Sequence, residues 1–139
     1  MATGILGTAA RQDPRQVVNT LKKTFNYNDP GIATGIPFDN YLPQNAFIEA
    51  VLTEIVVGFN AATTNVVTVG TVGPAYNNIA ADADITDGTP GVYPSTIGRG
   101  RSLTAAGDVL PYVKYTQTGA AATAGQGICV IFYEGGWQT

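Results

Sequence analysis

Histidine is missing from all 139 residues, and cysteine, methionine and tryptophan occur once each. Without His the chain lacks the commonest general base, every Ser-His or Cys-His nucleophile pair, and any His-ligated zinc, copper or non-haem iron. Those gaps remove most hydrolase mechanisms, and the reading is of a protein that is not an enzyme and needs no cofactor. A lone Cys129 forms no internal disulfide and no thiolate cluster. Long apolar runs are also lacking: nothing approaches the ~18 residues of a membrane span, and residues 1–10 have no apolar core of the signal-peptide kind. A protein soluble where it is made, with no membrane partner, is the expectation. Charge is scarce as well, at 12% of residues against a usual ~25%. A surface built of Thr, Asn, Gln, Gly and Ala suits packing against other protein.

The material for a core is present. Hydrophobic residues make up 45% of the chain, and a chain of this size hides about two-thirds of its unfolded surface on folding. The net charge of −3 is unevenly spread. Residues 1–27 hold Arg11, Arg15, Lys22 and Lys23 against Asp13, a balance of +3, while residues 28–139 hold three basic against nine acidic groups, a balance of −6. The front of the chain, residues 1–27, therefore reads as basic, with residues 1–16 an N-terminal arm ahead of one domain over 17–139. Four cations are few for nucleic acid, whose affinity comes from neutralising many phosphates, so no nucleic-acid partner is expected.

Short extended runs punctuated by turns follow the arm. Residues 17–27 place Val17, Leu21, Phe25 and Tyr27 on one side of a strand, with β-branched neighbours that favour extension. A helix competes, because Asp13, Pro14 and Gln16 make an N-cap, a first-turn proline and a capping-box partner. The strand is preferred, since Thr20 and Thr24 are poor helix formers. Turn signals at 28–31 and 42–45 bracket a short extended segment at 32–41. Residues 47–59 form the longest strand, with Glu49 and Glu54 on opposite faces unless a bulge intervenes. A turn at 60–64 leads into a strand at 65–71, which predicts a hairpin. Strands at 109–118 and 126–134 flank a Gly/Ala-rich turn, and 73–106 reads mostly as loop. Many short strands and no long helix predict an all-β sandwich of jelly-roll type.

Few motifs carry chemistry. Asp82, Asp84 and Asp87 before Gly88 have the wrong spacing for an EF-hand loop and read as turn-capping carboxylates. Glu49, Glu54, Asp39 and Asp108 are as good a glycosidase pair as any ten carboxylates would offer. Gly98-Arg99-Gly100-Arg101 lacks the Lys of a phosphate loop, and its two arginines suit equally a bidentate clamp on a carboxylate of a neighbouring subunit and plain solvation. Cys129 sits in an apolar strand and reads as a buried, inert thiol. Trp137 follows Gly135-Gly136 near the C-terminus and needs something to pack on, either its own sandwich or a partner.

Several stretches resemble one family. Leu42-Pro43-Gln44-Asn45-Ala46-Phe47-Ile48, then Phe59-Asn60-Ala61-Ala62-Thr63-Thr64-Asn65 and Val69-Gly70-Thr71, look like the corresponding run of tailed-bacteriophage head decoration, or cement, proteins. Val113-Lys114-Tyr115-Thr116-Gln117-Thr118-Gly119 and the strand 128–134 are similar to that family's C-terminal hairpin. The resemblance implies a jelly-roll-like protein with an extended N-terminal arm, located on the outer capsid surface of a virion. Its implied partners are the major capsid protein and further copies of itself, as a homotrimer near local threefold axes. Contacts to capsid or neighbour are then expected from Arg11, Arg15, Lys22, Lys23, Arg99, Arg101 and Trp137. The alternative is a phage tail or surface module that recognises host carbohydrate or receptor through Tyr76, Tyr93 or Trp137.

Overall fold

A computed structural model describes residues 18–96 and 100–135. Seven strands lie within them: β1 Val18–Asn26, β2 Ile36–Pro37, β3 Phe47–Val57, β4 Thr64–Gly70, β5 Gly91–Pro94, β6 Tyr112–Thr118 and β7 Gln126–Glu134. They form two antiparallel sheets, one of order β1-β7-β3-β5 and one of order β2-β6-β4. Each successive strand changes sheet. That alternation sandwiches the chain around one core and is the wiring of a jelly roll, with seven strands in place of eight.

Alternation of side chains sets the core. In β1, Leu21 and Phe25 point inward, as the period-2 pattern predicts, and the backbone over 18–26 is extended, not helical. Val17 lies outside the described residues. Ile48, Val51 and Ile55 of β3 and Cys129 and Ile131 of β7 complete the inner face of the larger sheet, and Val67, Val69, Val113 and Tyr115 line the smaller one. Three rings join the layers: Phe59 stacks on Phe25 at 6.0 Å between centroids and tilts against Tyr115 at 4.5 Å. Glycine makes room for them. A Cβ on Gly127 would stand 2.5 Å from Cζ of Phe25.

Two expected hairpins are corners between the sheets. β3 pairs with β5 and β7, whereas β4 pairs with β6, so the turn after residue 59 crosses the sandwich. The same holds for β6 and β7, which the family resemblance implied to be a hairpin. The physical reason is a polar splice that ties the two crossings together. Asn60 Oδ1 accepts the N–H groups of Thr123 (2.8 Å) and Ala124 (3.0 Å), and Asn60 Nδ2 donates to Thr123 Oγ1. Asn65 Oδ1 accepts from Ala61 N and from the Tyr115 hydroxyl at 2.6 Å. With Phe59 held in the core, direct β3-to-β4 pairing is replaced by these side-chain bonds. The segment 32–41 yields only the two residues of β2, and the region read as loop contains β5.

Candidate docking surface

The two outer sheet faces differ. On the smaller sheet, residues 73–78 fold over the strands: Tyr76 stacks on Tyr112 at 4.6 Å, Lys114 Nζ donates to Pro74 O at 2.8 Å, and Thr68 Oγ1 donates to Ala75 O. The free edge of β4 is covered too. Val69 exchanges backbone bonds with Ala80, and Val67 N–H donates to Asp87 Oδ2 at 2.7 Å. A carboxylate there replaces the carbonyl of a missing strand. Burial makes that substitution costly, raising the Asp87 carboxyl to about 6, with the Val67 bond pulling the other way.

The outer face of the larger sheet carries apolar side chains in register across three strands. Lys22, Val130, Leu52 and Pro94 form one row, and Thr24, Ile128, Glu54 and Val92 the next. Phe132 lies opposite Thr20 and Ala50, and Glu134 lies between Val18 and Phe47. Val18, Phe47 and Val92 are 47%, 44% and 57% exposed. Exposed apolar side chains grouped on one sheet face make it the candidate docking surface among the described residues.

A register shift between Ile48 and Ala50 decides the position of the glutamates. It leaves Glu49 and Glu54 both exposed, with Ile48 and Val51 both pointing inward, so the bulge and not the strict alternation holds. Glu49 hydrogen-bonds Glu134, and that bond raises the Glu134 carboxyl above the ordinary range. These carboxylates lie on an open sheet face. The other two acids once paired with them are used elsewhere: Asp39 bonds Lys23 at 3.3 Å, and Asp108 Oδ1 accepts Gln44 N at 2.7 Å. Asp84 caps its turn by accepting from Ala81 N (3.1 Å) and Ser95 Oγ. The single Ser95 hydroxyl proton is shared between that carboxylate and the carbonyl of Ile79.

Of the residues expected to make contacts, Arg11, Arg15, Arg99 and Trp137 lie outside the described residues. Lys22 is exposed on the outer face of β1, and Lys23, its neighbour, turns to the opposite side toward Asp39. Two lysines on an edge strand also discourage unwanted strand pairing. Arg101 follows Gly100, whose backbone bridges Ile48 at the start of β3. Among the described residues, Lys22 and Lys23 therefore face opposite sides of β1. The apolar face was not legible in the sequence, because inward and outward residues of β3 and β7 are both aliphatic and only cross-strand register reveals the second set.

Two comparisons find nothing: no protein-family model matches the sequence, and no curated protein matches it. A solved structure does. A chain of the cyanophage Pam1 capsid asymmetric unit superposes with a TM-score of 0.65 at 20% identity, covering 85% of this chain and 84% of that one. The two share a fold. Among the described residues no helix is long and apolar enough to cross a membrane.

Proposed function

We propose that this is a non-enzymatic structural protein of a phage virion that binds the outer capsid surface and cements neighbouring major capsid subunits. The observation that carries the reading is the fold match over 85% of the chain to a component of a phage capsid asymmetric unit. The cement-protein resemblance of residues 42–71 points the same way, as do the low charge and the exposed apolar sheet face. Packaged DNA pushes subunits apart, and a protein that binds only the assembled lattice stabilises it by mass action. Repeated sites on the shell add avidity, more so if the protein acts as a homotrimer. The basic arm, residues 1–16, and Arg101 supply cations for acidic neighbours.

Host-receptor recognition draws less support. Tyr76 is stacked on Tyr112, and the Tyr93 hydroxyl donates to Thr89 O at 2.6 Å, so two of its aromatic candidates serve the fold. Co-sedimentation with mature, undecorated phage capsids tests the proposal. Saturable binding at a fixed copy number per capsid is expected, and absence of binding at micromolar protein would overturn it.

A further inference from the structure

The bare face has a polarity of its own. Glu54 and Glu134 stand on it among Leu52, Ile128, Val130 and Phe132, and Lys22 is the one cation in these rows. A second such face packed against it would set glutamates toward glutamates, which disfavours symmetric sheet-on-sheet pairing. The occupant must instead be apolar and basic. One segment of the chain has that chemistry: residues 1–17 hold Ile5, Leu6 and Val17 with Arg11 and Arg15, against a single acid, Asp13.

Geometry then separates self from neighbour. Val18 sits at the corner of this face, with Glu134 and Phe47 beside it in register, and β1 runs from that corner into the sheet. Because β1 enters the sheet at that corner, a segment ahead of it covers its own face only by reversing direction, while reaching the next molecule requires no reversal. Seventeen residues span up to about 56 Å when extended, nearly twice the ~30 Å length of a nine-residue strand.

We propose that residues 1–17 of a second copy dock on the outer face of the β1-β7-β3-β5 sheet, with Arg11 and Arg15 neutralising Glu54 and Glu134. Such a contact is heterologous, arm to face, so it closes into a ring or propagates along a surface. It ties copies to one another whether or not a capsid is present, and so stands or falls separately from the capsid reading.

Charge swapping in the full-length chain tests it, read by light scattering on a sizing column and with folding checked by circular dichroism. The unaltered protein is expected to self-associate, and more weakly in high salt. Arg11→Glu with Arg15→Glu should weaken association about tenfold or more, as should Glu54→Arg with Glu134→Arg. An equimolar mixture of the two variants should associate again, because the reversed arm of one meets the reversed face of the other. Three results would each overturn the proposal: a monomeric unaltered protein, association indifferent to either reversal, or variants that weaken but do not rescue each other when mixed. The last of these would place the arm on its own face.

Discussion

Asp87 is the side chain whose chemistry and position are most closely bound together. It is 6% exposed, and its backbone also works, accepting Phe59 N–H at 2.9 Å. With its folded carboxyl near 6 against an ordinary 3.8, the native state holds a proton that the unfolded chain has released. Stability from this group is therefore fully present below pH ~4 and lost as pH rises through about 6. The slope reaches about 1.4 kcal/mol per pH unit. Urea midpoints from pH 4 to 7 should show the decline, and Asp87→Asn, which keeps an oxygen for Val67 N–H, should flatten it. Cys129 makes the complementary case. It is fully buried beside Thr53, and burial pushes its thiol up to about 12. A maleimide should leave the native protein untouched and label one equivalent in denaturant; rapid native labelling would contradict the packing.

At the level of elements, β7 organises the larger sheet, lying between β1 and β3 with paired residues along its whole length. Its inner face needs a missing side chain at Gly127 so that Phe25 can reach Phe59. Gly127→Val should cost about 1–3 kcal/mol in denaturant unfolding by overpacking, with Gly127→Ala in the lower part of that range. The segment 100–109 is stitched to the start of β3 through Gly100 with Ile48, Thr104 Oγ1 with Ala46 O at 2.7 Å, and Val109 with Leu42. That stitching places Arg101 close in chain to the apolar face, and it arises from backbone pairing that leaves no trace in local composition.

For the whole molecule, the two sheets divide the work. The smaller one is closed by the 73–78 loop and by Asp87, and the larger one keeps an apolar face toward the surroundings. A protein that cements a shell by mass action should raise the disruption temperature of the shell as its own concentration rises. Calorimetry of capsids with increasing protein checks this, and a disruption temperature indifferent to saturating protein would contradict cementing. Substituting Val92→Lys or Val130→Lys should leave the fold intact, since both point outward, and should lower the binding that this face supports.

What residue order decided here is local. Alternation in 17–27 fixes a strand and its buried Leu21 and Phe25, because the period of side chains along an extended chain is a property of the strand alone, while the β-branched and aromatic runs at 47–59 and 126–134 fix two strands but not which face of each is buried. The absence of His and the thin charge narrow the chemistry in the same direct way. Tertiary structure decided which strands meet. Local pattern is indifferent to whether 65–71 pairs with the strand before it or with β6, and the answer came from Phe59 in the core and the amide of Asn60 bonded some sixty residues away. It also decided which apolar residues face outward. Leu52, Ile128 and Val130 are indistinguishable in sequence from their buried neighbours, and only the cross-strand register, with its bulge at Ile48, turns them outward together beside Glu54 and Glu134.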